Sequence, residues 1–187
     1  MLKTWDIFDT LIARRCIFPH IVFQIMENIT KISGFASVRV IAEQNIARQK
    51  INYTLEDIYK ELQKNSNASD EICAALKKLE YDVEFDQAIP ITENLNQVKA
   101  GDILISDMYL PKYFIQKLLD KVGLLEPVEI VVTSNGKSSG RIWNQLSEQN
   151  QYVFHIGDNV ISDVKNPRLS GFDSSLSILH QPNIIEQ

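Results

Sequence analysis

Several residue types that would make common functions easy are scarce in this sequence. Only two cysteines, Cys16 and Cys73, occur in 187 residues, and they form no C-x-x-C pair. That predicts two reduced thiols rather than a disulfide scaffold. The three histidines, His20, His155 and His180, fall at no metal-ligand spacing, so no zinc site is expected. No apolar run approaches the ~20 residues needed to span a bilayer. The opening MLKTWDIF lacks the long apolar stretch of a secretory signal. The expected protein is therefore cytoplasmic, with no membrane partner. Positive charge is also short: 19 Lys and Arg stand against 24 Asp and Glu, a net charge of -5. A nucleic-acid binder would normally present a basic face, so no nucleic-acid partner is expected either. There is no internal repeat and no low-complexity tract.

What remains is an ordinary globular balance, 44% hydrophobic and 23% charged, long enough to bury a full core without staples. The C-terminal half alternates. The apolar run DILIS (102–106) is followed by PKYFIQKLLDKVG (111–123), whose apolar spacing is helical. Pro111 suits a first turn there and Gly123 a helix end. VEIVVTS (128–134), a helical SGRIWNQLSEQ (139–149), YVFHIGD (152–158), a helical ISDVKNPRLSG (161–171) and SSLSIL (174–179) continue the pattern. Strands alternating with helices predict a parallel sheet covered on both faces, and the continuous apolar runs fit strands buried on both sides.

Between Arg14 and Thr92 the rhythm changes, and no convincing strand is visible. Phe18, Ile21, Val22, Ile25, Met26 and Ile29 recur at helical spacing. So do Leu55, Ile58, Tyr59 and Leu62, behind a helix start at Thr54 and Asp57. Ile72, Ala75, Leu76 and Leu79 mark another helix. The fold class expected is α/β: a Rossmann-like parallel sheet with an inserted block of three to four helices.

In such a sheet, ligands bind beyond the carboxyl ends of the strands. Four polar groups fall there. Asp6 closes the first run, in TWDIFDTLI. Ser106 ends DILIS, Lys137 follows VEIVVTS in SNGKSSG, and Asp158 follows YVFHIG with Asp163 five residues on. Singly, each is common turn or surface chemistry. Together, in this order, they form a pattern.

That pattern resembles the haloacid dehalogenase-like hydrolase superfamily, most of whose members are magnesium-dependent phosphatases. Its first motif matches Asp6, Thr10 and Leu11; its second, Ser106; its third, Lys137; its fourth, Asp158 and Asp163 in HIGDNVISDV. DIFDTLIARR and ISDMYLP further resemble a subgroup of predicted hydrolases, some associated with glycan biosynthesis. The resemblance covers essentially the whole chain. It implies a core of residues 1–13 and 93–187 and a helical cap of residues 14–92. It also implies Asp6 as nucleophile, Ser106 and Lys137 as catalytic partners, and Mg²⁺ held by Asp6, the Phe8 carbonyl and Asp158, with Asp163 in support. Thr10, Arg14 and Asp107 would contact a small phosphorylated substrate. Charge makes sense of such a set. An anionic nucleophile and a phosphate dianion repel, and a hard divalent cation with oxygen ligands removes that repulsion.

One position departs from the family's typical phosphatases. The residue two beyond the nucleophile is usually Asp, a general acid and base; here it is Phe8. Asp9 lies one residue later. The departure keeps two alternatives in play: a hydrolase of another bond, such as carbon–halogen, and a non-catalytic binder of a phospho-ligand or partner.

Overall fold

The computed structural model describes residues 2–149 and 152–179; His180 and the residues after it lie outside the described residues. Five strands form one parallel sheet. They are β1 (Leu2–Asp6), β4 (Ile103–Asp107), β5 (Glu129–Thr133), β6 (Val153–Gly157) and β7 (Asp173–Leu176), in the order β5-β4-β1-β6-β7. Asp6 pairs with Ile105 and Ser106 with Val132. Trp5 lies against Ile156 of β6. The chain thus runs outward from β1 in both directions, which puts a topological switch point beside the first strand. Trp5, Ile103, Leu104, Ile105 and Val153 are buried, the reason these runs read as continuous rather than alternating.

Helices α6 (Lys112–Lys121) and α7 (Arg141–Glu148) join the parallel strands. Phe114, Ile115, Leu118 and Leu119 form the buried face of α6, and Ile142, Trp143 and Leu146 that of α7. Pro111 caps α6, and Gly123 just beyond it has φ 93°, a left-handed stop that glycine adopts at least cost. The helix expected over 161–171 takes a different form. It is a π-helical turn, Val160–Lys165, running into α8 (Asn166–Leu169). Pro167 near the start of α8 offers no backbone N–H to continue a regular ladder.

Four helices leave and rejoin the sheet: α1 (Ile21–Thr30), α2 (Phe35–Gln49), α3 (Leu55–Ser66) and α4 (Asp70–Gln87). Thr54 and Asp57 form a reciprocal capping box at the start of α3, and Ser69 caps α4. The expectation of a strand-free insert is corrected at its ends. β2 (Ile12–Arg14) and β3 (Ala88–Pro90) pair antiparallel as a two-stranded ribbon, and a short helix, α5 (Thr92–Leu95), follows. Three-residue strands are too short to show a period, and Pro90 fits only because it sits at the end of the ladder. One hydrophobic cluster runs through both parts, from Trp5 and Leu104 of the sheet to Met26, Ile58 and Leu76 of the helices.

Candidate active site

The sheet ends in charge at one edge. β1 delivers Asp6, β4 delivers Ser106, and the residue after β6 is Asp158. They border a cavity of about 560 Å³ with Phe8, Asp9, Asp107, Lys137 and Asp163. The insert closes it: Arg14, Pro19, Phe23 and Glu43 line the same space. Asp6, Asp158 and Asp163 each present a carboxylate oxygen within 4.8 Å of the others. At such spacing two ionised carboxylates repel by about 3–4 kcal/mol at an effective dielectric near 20. Something must offset that.

Lys137 supplies part of the offset. Its ammonium is 3% exposed, bonds one oxygen of Asp6, and lies 2.7 Å from Asp163 Oδ1. Burial alone would push its pKa down; Asp6 and Asp163 outweigh burial and hold it above the ordinary value. Asp107 aims this lysine. Its carboxylate accepts the backbone N–H groups of Gly136, Lys137 and Ser138 at 2.8–2.9 Å and the hydroxyls of Thr133 and Ser138. Those bonds hold the Asp107 pKa down against burial. Asp107 was expected to contact substrate. Its oxygens instead fold the 133–138 loop.

The two carboxylates on Lys137 diverge. Asp163 accepts from the Asn159 N–H at 3.0 Å and from His155 Nε2 at 3.2 Å as well as from Lys137. Lys137 and His155 hold it well below the ordinary range despite burial. Asp6 bonds Lys137, and burial, reinforced by Asp163 and Asp158, pushes it up to about 7 against the pull of Lys137. Asp158 is pushed up to about 6, first by burial and then by Asp163 and Asp9. Burial thus disfavours the ionised form of both Asp6 and Asp158. Two hard oxygen donors on adjacent strands, each resisting ionisation, fit a divalent cation of the Mg²⁺ type. Asp163 has both oxygens engaged, Oδ1 by Lys137 and His155 and Oδ2 by the Asn159 N–H.

Two residues that build this arrangement carried no signal in the sequence reading. His155 is fully buried, with Nδ1 2.8 Å from the Thr4 hydroxyl and its ring against Trp143. Burial lowers its pKa to about 4, so it is neutral, with the proton on the nitrogen facing Asp163. A Cβ on Gly157 would overlap the Asp163 carboxyl. The glycine of HIGD is there because only hydrogen fits beneath that carboxylate.

Phe8 lines the cavity, its ring under the Arg14 guanidinium at 4.4 Å. Arg14 was expected to clamp a substrate anion. It is 3% exposed, and Glu84 takes its charge through two bonds of 2.9 and 3.2 Å. Thr10, also expected at the substrate, is fully buried, and its carbonyl accepts from Asn94. It supports the loop from beneath and does not line the cavity among the described residues. Asp9, by contrast, faces the cavity. Its φ of 59° breaks the strand alternation that would have sent it to the other side.

No protein-family model matches the chain, and no curated protein does. Solved structures match over nearly its whole length. A HAD-hydrolase, YfnB, from Bacillus subtilis bound to magnesium is 16% identical, with a TM-score of 0.58 over 94% of this chain and 87% of that one. The HAD family enzyme bt-2542 from Bacteroides thetaiotaomicron, in complex with magnesium and inorganic phosphate, is 13% identical, with a TM-score of 0.58 over 96% and 94%. L-2-haloacid dehalogenase from Xanthobacter autotrophicus, with chloropropionic acid covalently bound, is 11% identical, with a TM-score of 0.59 over 100% and 81%. The architecture shared with all three is the haloacid dehalogenase-like fold.

Proposed function

We propose that this chain, with its haloacid dehalogenase-like fold, is a Mg²⁺-dependent phosphatase of a small phosphorylated metabolite. The observation that carries the reading is the gathering of three carboxylates, Asp6, Asp158 and Asp163, with oxygens within 4.8 Å of one another at the strand ends, with Lys137 on two of them. A divalent cation held by Asp6, Asp158 and the Phe8 carbonyl would balance the set and neutralise phosphoryl oxygens.

The chain's own groups then have defined work. A carboxylate oxygen of Asp6 attacks phosphorus, and the bond from phosphorus to the leaving oxygen breaks, giving an aspartyl-phosphate. Water attacks the same phosphorus next, phosphate departs, and the Asp6 carboxylate is restored. Lys137 holds Asp6 in line and offsets charge on the phosphoryl group. The Ser106 hydroxyl, at the end of β4, donates to a phosphoryl oxygen. Asp107 keeps Lys137 in place, and His155 and Asn159 keep Asp163 in place. The helical insert, residues 14–92, acts as the cap over this site.

Phe8 gives a second reading its support. An aromatic ring where an acid would stand suits a hydrolase that does not protonate an alkoxide, such as one that cleaves carbon–halogen bonds through Asp6. Asp158 beside the nucleophile favours the metal-dependent chemistry. A screen of phosphorylated metabolites and 2-haloacids, with and without Mg²⁺, separates them. Phosphate release that needs Mg²⁺ and vanishes in Asp6→Asn supports the phosphatase. Halide release that survives a chelator overturns it.

A further inference from the structure

Lys137 is carried by a short loop that the helical insert also holds. Ser134, the residue after β5, meets the backbone of Tyr53 in the insert. Its Oγ accepts the Tyr53 N–H at 2.9 Å and donates to the Tyr53 carbonyl at 2.5 Å. One hydroxyl thus satisfies both backbone groups of a residue 81 positions away in the chain. Two residues beyond Tyr53, the Leu55 N–H donates to the Tyr109 carbonyl at 3.0 Å. Tyr53 and Leu55 flank Thr54, whose capping box with Asp57 fixes the start of α3. This stretch of the insert therefore bonds both segments that meet at Asp107. One runs on from Asp107 to Tyr109; the other is the loop that the Asp107 carboxylate gathers.

The loop is built to pass position along. The Gly136 N–H donates to Thr133 Oγ1 at 2.9 Å as well as to Asp107, which closes a tight turn around Ser134. A Cβ on Gly136 would come within 2.5 Å of Thr133 Oγ1, so the turn has no spare room. Lys137 follows at once, and Asn166 Nδ2 holds its carbonyl at 2.9 Å. Ser134 and Lys137 border the same cavity as Asp6. A turn this closely bonded moves as one body, so a shift at Ser134 reaches the lysine three residues on.

We propose that Ser134 is a positioning residue, through which the insert, at Tyr53, sets the place of Lys137 beside Asp6. Docking of the insert and alignment of the lysine are then one event. The consequence for turnover rests on the phosphatase reading above; the consequence for the loop does not.

Ser134→Ala and Ser134→Thr test it, by amide hydrogen exchange and by kinetics. In Ser134→Ala the N–H groups of Gly136, Lys137 and Ser138 should exchange about tenfold faster or more, since two bonds that restrain the loop are gone. Leu104 and Ile105 in β4 keep their wild-type rates. With p-nitrophenyl phosphate and Mg²⁺, kcat and kcat/KM should fall together by about tenfold or more with KM unchanged, the mark of a contact made in the transition state. Ser134→Thr, which keeps the hydroxyl, restores both. Unchanged exchange at residues 136–138 in Ser134→Ala overturns the inference. So does faster exchange spread equally over β4, which marks a merely structural loss. Loosened loop amides with a wild-type kcat overturn it too, as does a Ser134→Thr protein that behaves like Ser134→Ala. If the wild type releases phosphate from no substrate, the phosphatase reading falls and the exchange rates alone decide the inference.

Discussion

Two clusters of buried charge in this molecule are built differently. Among the inserted helices, Arg39 meets Glu80 through two bonds of 2.9 and 2.7 Å, with the Tyr59 hydroxyl on Glu80 as well. One turn further along α4, Glu84 meets Arg14 in the same bidentate way. The guanidiniums lie over rings: Arg39 over Phe23 and Tyr109, Arg14 over Phe8. Glu80 and Glu84 each meet a guanidinium whose planar fork reaches both oxygens. At the strand ends, three carboxylates crowd within 4.8 Å and one lysine bonds two of them, Asp6 and Asp163. Burial first, and the neighbouring carboxylates after it, raise Asp6 to about 7 and Asp158 to about 6.

Substitutions can break this contrast from either side. The largest effect is expected at the strand ends. Asp6→Asn removes the nucleophile and should lower Mg²⁺-dependent phosphate release by at least a thousandfold on every substrate, with the fold intact by circular dichroism. An Asn variant of full activity would mean that another residue attacks.

Next comes the pair among the inserted helices. Arg39→Met leaves Glu80 buried without its partner, which typically costs about 3–5 kcal/mol. Urea unfolding should show that loss, whereas the double variant Arg39→Met with Glu80→Leu recovers much of it. Mg²⁺ affinity should be unchanged in both if the charges among the inserted helices are structural.

Phe8→Asp places a carboxyl where an acid would protonate a leaving oxygen. General acid help is typically worth ~10²–10⁴-fold. Turnover of an alkyl phosphate should therefore rise by ten- to a hundredfold, and that of p-nitrophenyl phosphate, whose leaving group needs no proton, much less. The same change removes the ring from under Arg14, so some loss of thermal stability accompanies it. Equal gains on both esters would contradict a proton-donor role.

The smallest effect is in pH. Because burial raises the Asp6 and Asp158 pKa values, protons compete with the metal up to neutral pH. Mg²⁺ affinity should be constant above pH 8 and fall about tenfold per unit below pH 7, steepening near pH 6. Without metal the sign for stability is the reverse of the usual carboxylate case. The unfolded chain releases these protons near pH 4, the folded one near 6–7, so metal-free stability falls as pH rises across that window.

Much of this contrast was legible in the sequence, and the part that was not has a common cause. The sheet showed because its strands are continuous apolar runs, and Leu55, Ile58, Tyr59 and Leu62 showed because an uninterrupted apolar stripe makes up most of the buried face of α3. On α4 the stripe Ile72, Ala75, Leu76 and Leu79 misplaced the buried face. Ile72 is 47% exposed, and the face that packs carries Cys73, Leu76, Glu80, Val83 and Glu84. Two glutamates interrupt the apolar period because their partners, Arg14 and Arg39, come from elsewhere in the chain. α2 stayed hidden for the same reason: its fully buried anchor is an arginine. At the site, spacing and resemblance located Asp6, Ser106, Lys137, Asp158 and Asp163 around one cavity or beneath it. They could not reveal that Arg14 and Asp107 are already engaged, since pairing across tens of residues leaves no local mark. Nor could they place Asp9, whose left-handed backbone decides its direction.

The central claim is that Asp6 and Asp158, crowded together at the strand ends, hold a divalent cation between them. Thermal unfolding of the wild type and Asp158→Asn at pH 8, each with EDTA and with Mg²⁺, tests it most directly. The account predicts that Mg²⁺ raises the Tm of the wild type and leaves that of Asp158→Asn nearly unchanged. In EDTA, Asp158→Asn should be at least as stable as the wild type, because it removes a repelling charge. A wild-type Tm indifferent to Mg²⁺, or an Asp158→Asn protein less stable than wild type in EDTA, would contradict it.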